Sequence, residues 1–431
     1  MAPNGHTTEH DALQIPKEHQ SNLSIAIKNF SAQWYTISMD TGILSIILKL
    51  HPWTFRGQSV LSTVMFVLNL FLFVAFSAIS ILRLRGHRHH VRTQTLTNLE
   101  EQSYLGAPAT AYLTLVAQVA LTCSTAWGFH WTIFAYVLWW IGLVFTVGLC
   151  SSNVIILIKR NMTTDREMTP AIFLPLISVM TLGTTGGIIC NYGVGMTPAL
   201  AVPIIVVAYM AIGYALFLSL MYYTFLAHKL LAVGLPAPGK VPALVITVGP
   251  MGQFATAIQV LSTAASKRGL FAGYARGTWL QGSAASSVSA AAVLLALLAL
   301  GFAFMWITVA WCIVMEHLIK RQLPFSLTWW SLIFPMGVFT TALLNLSNAL
   351  NSSVLRGFTS ALLIFMFLVY FVNWGGTVYK IYMGEALGVP QQRQEEHQQA
   401  KDKKRRMDHY VMRDSRITEG ESSGNGSGSN V

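Results

Sequence analysis

One carboxylate, Asp40, stands near the middle of a long apolar run, within Ser38-Met39-Asp40-Thr41-Gly42. A charged group at that depth of a bilayer costs about 3 kcal/mol on insertion scales. It must therefore face the protein interior, be paired, or carry a proton. Two readings stay open: a proton-sensitive group in a translocation path, or a hydrogen-bonded Asp beside a turn loosened by Gly42. A second group is Val248-Gly249-Pro250-Met251-Gly252-Gln253. Two glycines flanking a proline open a helix and expose backbone amides, which suits an anion held without a fixed positive charge. A third stretch sets Thr181, Gly183, Thr184, Thr185, Gly186 and Gly187 within seven positions. It is polar and slender, and its glycines read first as sites of close helix packing. In the fourth, Phe334 directly precedes Pro335, followed by Met336 and Gly337. A ring beside a kink can point into a lumen and close it by dewetting, or it can face lipid or a neighbouring helix.

All four groups lie in runs long enough to cross a bilayer. About ten such runs of roughly 20 residues are present. They fall near Ser31–Leu50, Ser59–Leu82, Leu105–Thr125, Trp131–Ile158, Thr169–Cys190, Pro198–Leu226, Val241–Ala265, Ala285–Val314, Trp329–Leu350 and Val354–Met383. With 53% hydrophobic and only 10% charged residues, the chain is too apolar for a water-soluble protein of 431 residues. With both ends placed in the cytoplasm, all but six of the 28 Lys and Arg fall on the inner side. The exceptions are Lys49, Arg56, Lys267, Arg268, Arg276 and Arg356. That asymmetry orients the chain by the positive-inside rule and explains the +11 charge without nucleic acid. The first residues hold no signal-peptide core, so insertion is expected to begin with the first span.

The organisation expected is a polar cytoplasmic N-tail (1–29), a transmembrane domain (30–384) and a disordered basic cytoplasmic C-tail (385–431) with the cluster Lys401–Arg406. Within the domain, the third, fifth, seventh and ninth spans carry Pro108, Pro175, Pro250 and Pro335 as kinks. The fourth, eighth and tenth have no interior proline, and in the sixth Pro198 and Pro203 fall in the first turns. Kinks are tolerated where protein or a wet cavity satisfies the freed backbone groups. The economical arrangement is an all-α membrane protein of five helical hairpins, with odd, kinked helices inside around a central pore and even helices outside. The four cysteines, Cys123, Cys150, Cys190 and Cys312, lie within or at the ends of spans, so no disulfide framework is expected. His87, His89 and His90 lack a carboxylate or Cys at ligand spacing, so no metal or other cofactor is expected. No Walker loop, Ser-His-Asp context or paired catalytic acids argue for an enzyme.

These motifs, in their order on ten spans, resemble those of the tellurite-resistance/dicarboxylate transporter group. That group comprises plant slow anion channels, fungal malate transporters and fungal sulfite efflux pumps. The resemblance covers most of residues 29–383. It rests on Asn29-Phe30-Ser31 with Trp34, Met39-Asp40-Thr41-Gly42, Val248-Gly249-Pro250, and Trp329-Trp330 through Phe334-Pro335. It implies a pore of five inner helices ringed by five outer ones, commonly in a trimer, with Phe334 at the position of the occluding aromatic. Asp40, Thr41, Gly42, Thr184, Gly249, Gly252 and Gln253 become candidates for the pore wall or for a proton-sensitive group. One departure stands out: Asp40 occupies the place of a glycine in many relatives. An acid lining an anion path repels its substrate unless protonated or paired. So conduction depends on pH, the side chain points away from the lumen, or the substrate differs. Gly249-Pro250-Met251-Gly252-Gln253 and Phe334-Pro335-Met336-Gly337 look more like the sulfite-pump branch than the malate branch. The expected activity is sulfite efflux across the plasma membrane, with malate or another small anion as the alternative. A non-transporting multi-span receptor is the alternative from another class.

Overall fold

The computed structural model describes residues 21–160, 168–388 and 390. Arg166, most of the N-tail and the C-tail with its Lys401–Arg406 cluster lie outside the described residues. Chain contacts separate two units, Phe30–Lys380 and one formed by the two chain ends. In the second, helix α1 (Asn22–Asn29) ends at Asn29, whose side-chain amide donates to the Leu387 carbonyl at 2.9 Å.

The first unit is helical throughout, and among the described residues only an isolated bridge, Arg276 to Leu280, pairs extended backbone. Its helices are α2 (Tyr35–Leu50), α3 (Gln58–Gly86), α4 (Arg88–Thr97), α5 (Leu99–Tyr104), α6 (Gly106–Gln118) and α7 (Ser124–Trp127). They continue with α8 (Phe129–Arg160), α9 (Leu174–Tyr192), α10 (Pro198–Ala232), α11 (Gly249–Ser266) and α12 (Leu270–Tyr274). The last are α13 (Gly282–Ile319), α14 (Phe334–Ala349) and α15 (Ser353–Tyr382).

Nine helical stretches among the described residues are long and apolar enough to span a membrane, where ten were expected. The difference is the first. With its 3-10 lead the first stretch runs from 32 to 50, as long as a span needs to be, but Gln33, Asp40 and Lys49 make it less apolar than the other nine. Its residues Tyr35–Leu48 are all buried, so it depends on the surrounding helices rather than on lipid.

Burial divides the spans into two kinds. The stretches containing α6, α9, α11 and α14 are 78% to 100% buried over their most apolar windows, whereas α3, α8, α10, α13 and α15 are only 22% to 39% buried. The poorly buried helices present Phe71, Val144, Met210, Leu298 and Leu368 outward. In lipid such side chains lie in their preferred solvent, so they need no protein cover. The buried helices approach closely because they carry glycine where they touch. A Cβ on Gly183 would stand 2.6 Å from Ile212 of α10, and one on Gly187 2.8 Å from Val260 of α11. Close packing is thus what the glycines of the fifth span serve.

Pro108, Pro175, Pro250 and Pro335 each lie in the first turn after a break in the helix. Pro175, Pro250 and Pro335 follow 3-10 segments at Pro170–Phe173, Pro238–Val248 and Leu327–Leu332. Pro108 follows the break at Leu105 between α5 and α6. Near a helix start, the missing proline N–H leaves few bonds unmade.

Candidate functional site

The buried helices enclose a narrow cavity, and all five contribute to its wall. Helix α2 presents Ile43 and Ile46, and α6 presents Thr114 and Ala117. Helix α9 gives Thr181, Thr184, Thr185 and Ile188; α11 gives Gln253 and Thr256; α14 gives Phe334, Val338 and Thr341. Spacings of three and four residues put each set on one helical face. Room for water-sized molecules amounts to about 20 Å³, enough for roughly one water. A wider hollow of about 390 Å³ lies along α3 at Ser59, Val60, Thr63, Val64 and Val67. It is an open groove among largely exposed side chains and gathers no polar cluster.

The wall contains hydroxyls and one amide but no charged side chain. Most of its hydroxyl protons are committed to carbonyls. Thr114 donates to Ala111, Thr181 to Ile177, Thr341 to Gly337, and Thr185 across to Leu113. Thr256 lies 3.0 Å from the carbonyls of both Gly252 and Val338. Thr184 differs, because its Oγ1 accepts from the Gln253 amide at 2.7 Å and leaves its own proton free. The second N–H of Gln253 is likewise uncommitted, and its Oε1 is buried without a partner. The one uncommitted hydroxyl proton and the one side-chain amide of the wall therefore sit side by side.

Phe334 is 1% exposed and belongs to the wall. Its backbone N–H donates to Asp40 Oδ1 at 3.0 Å, joining the first and ninth spans. Asp40 is fully buried but is not among the residues of the cavity wall, and its Oδ2 has no partner. Thr41 turns outward, 2.7 Å from the Ile37 carbonyl and 2.9 Å from the Tyr370 hydroxyl of α15. Gly42 provides clearance, since a Cβ there would stand 2.1 Å from Thr114 Oγ1. Gly249 does the same against Ile177 at 2.5 Å, and Gly252 against the Phe339 backbone N at 3.0 Å. Of the residues picked out in the sequence, Thr184, Gln253 and Phe334 meet at the cavity, whereas Asp40, Thr41, Gly42, Gly249 and Gly252 pack behind it. Sequence reasoning marked Thr181 and Thr185 as part of a polar, slender stretch, and missed Thr114, Thr256 and Thr341. Their helical spacing from one another and from the named residues was the available signal.

A many-span helical membrane protein with a polar, uncharged cavity among its buried helices has the build of a transporter or channel for small solutes. Residues 29–378 match the SLAC1 voltage-dependent anion channel family, and the chain belongs to that family. It is therefore a multi-pass membrane protein of an anion transport family, not an enzyme. Sulfite efflux pump SSU1 of Trichophyton rubrum is 28% identical over 83% of this chain and 92% of its own. The malic acid transport protein of Schizosaccharomyces pombe is 21% identical, over 78% of this chain and 75% of its own. An uncharacterized transporter of Methanocaldococcus jannaschii is 21% identical over 83% and 97%.

Proposed function

We propose that this protein carries sulfite out of the cell across the plasma membrane, through a lumen between α2, α6, α9, α11 and α14 that the Phe334 ring closes. The observation that carries the reading is the cavity wall, one stripe from each of five buried helices, polar yet without charge. An anion stripped of water needs hydrogen-bond donors, and a fixed cation would hold it too long for rapid passage. The free Thr184 proton and the Gln253 amide supply donors without such a cation. Space for about one water is too small for a four-atom oxyanion. Passage thus requires the Phe334 ring to swing aside, with the helix breaks ahead of Pro108, Pro175, Pro250 and Pro335 as points of adjustment.

Sulfite is favoured over malate on two grounds. The relatives described as sulfite efflux pumps are more similar than the one described as a malic acid transporter, 28% against 21% identical. In addition, a dicarboxylate brings two separated charges, and the wall has no cation for either. The test is flux from proteoliposomes loaded in turn with sulfite, malate, nitrate and chloride. Sulfite should leave faster than malate. Faster malate efflux would reassign the substrate, and no flux above protein-free vesicles would remove the lumen.

A further inference from the structure

We infer that Asp40 is a positioning residue for the Phe334 gate. Its carboxyl oxygen fixes the junction at the start of α14 and thereby the direction of the ring. The inference rests on the gate reading given above.

A helix start leaves amides without acceptors in their own helix. At this junction Ile333 N–H bonds the Trp330 carbonyl at 3.3 Å, Pro335 has no N–H, and Gly337 N–H returns to the Ile333 carbonyl at 2.8 Å. Phe334 N–H therefore turns away from its own segment and finds Asp40 Oδ1 at 3.0 Å, across 294 residues of sequence. Both residues are buried, so no solvent stands in for that acceptor. Asp40 is itself held firmly by its neighbours in sequence. Ser38 bonds Asn69 of α3 at 2.5 Å, and Thr41 bonds Tyr370 of α15 at 2.9 Å. Helix α2 thus presents a fixed acceptor to the Phe334 amide, whose only bond among the described residues is to that acceptor. The other carboxyl oxygen is buried and unpartnered. Among the described residues no Lys, Arg or His pairs with Asp40, so the bond to Phe334 is the contact through which it acts.

The role requires an oxygen acceptor at one place and does not require charge. Asparagine keeps that oxygen and alanine removes it, which separates positioning from repulsion by a charge in the path. The experiment measures sulfite flux in proteoliposomes for wild type, Asp40→Asn, Asp40→Ala, Phe334→Ala and the Asp40→Ala/Phe334→Ala double variant, each checked for monodispersity. Asp40→Asn should stay within about twofold of wild type, and Asp40→Ala should raise flux about fivefold or more. In the double variant flux should equal that of Phe334→Ala, because a ring that is gone needs no positioning. Equal rises for Asp40→Asn and Asp40→Ala, persisting without the ring, would replace positioning by charge repulsion. Unchanged flux in folded Asp40→Ala, with Phe334→Ala raised, would sink the Asp40 role alone. Unchanged flux in Phe334→Ala would sink the gate itself. If Asp40→Ala does not fold, Asp40→Leu, which fills the site without an acceptor, takes its place: raised flux beside near wild-type flux in Asp40→Asn supports positioning, and wild-type flux in folded Asp40→Leu would sink it.

Discussion

Helices α11 and α14 begin with nearly the same device. Gly249-Pro250-Met251-Gly252 opens one and Phe334-Pro335-Met336-Gly337 the other, each after a 3-10 segment. Their surroundings make them different parts. The Gly249 amide is satisfied locally by the Ile246 carbonyl, so the α11 start is closed on itself. The Phe334 amide reaches Asp40 on another helix, so the α14 start depends on α2. At the first position α11 has no side chain and lies against Ile177, whereas α14 places a ring in the cavity wall. Four residues into each motif the polarity is exchanged: Gln253 and Val338 both line the cavity, one with an amide and the other without. One construction thus yields a helix start closed on itself with an amide in the wall and, packed beside it, a start with a ring in the wall and its amide bonded to α2.

The comparison breaks most readily at the third shared feature, the glycine that follows Met. Gly252→Ala puts a Cβ 3.0 Å from the Phe339 backbone N, and helix backbone cannot yield as a side chain can. The expected loss is about 2 kcal/mol of stability, read as a lower unfolding temperature in detergent. A substitution tolerated without change would mean that the α11–α14 contact is looser than it stands. Phe334→Ala tests the difference at the first position. It should raise sulfite flux about tenfold, equivalent to about 1.4 kcal/mol of barrier, whereas wild-type flux in a folded variant would return the ring to a packing role. Gln253→Val makes α11 copy α14 at the cavity wall. Losing one donor should lower sulfite flux about fivefold, near 1 kcal/mol, with little change in unfolding temperature. Unchanged flux would leave Thr184 or the backbone as the anion's partner.

Much of the fold was legible before any coordinates. Span positions follow from runs such as Ser59–Leu82 and Ala285–Val314, because transfer into lipid is a sum over local side chains. The four well-buried spans are those carrying Pro108, Pro175, Pro250 and Pro335, but the reason differs from the one expected, since each follows a break between helical segments and the poorly buried α10 also holds an interior proline, Pro203. The first span was the weak point. Its helix with the 3-10 lead is long enough, but Gln33, Asp40 and Lys49 make it less apolar than the other spans, and it is buried among them. At the candidate site, Phe334, Gln253 and Thr184 were visible as unusual residues beside kinks or glycines. Thr114, Thr256 and Thr341 were not, because a threonine in an apolar helix usually bonds its own backbone, and these do.

The sequence by itself determined which segments leave water, since that follows from composition along a single helix, and its prolines marked the four well-buried spans. Only the tertiary structure decided what the buried groups do. Asp40 read equally well as a proton-sensitive group or as a structural acid, and Thr41 and Gly42 as pore wall. The packing of α2 against α3, α6, α14 and α15 turns Thr41 to Tyr370, Gly42 to Thr114 and Asp40 to the Phe334 amide. The physical reason is the distance over which each force acts. Hydrophobic transfer is scored residue by residue along the chain, whereas a hydrogen bond between residues 294 apart exists only once the helices between them have packed.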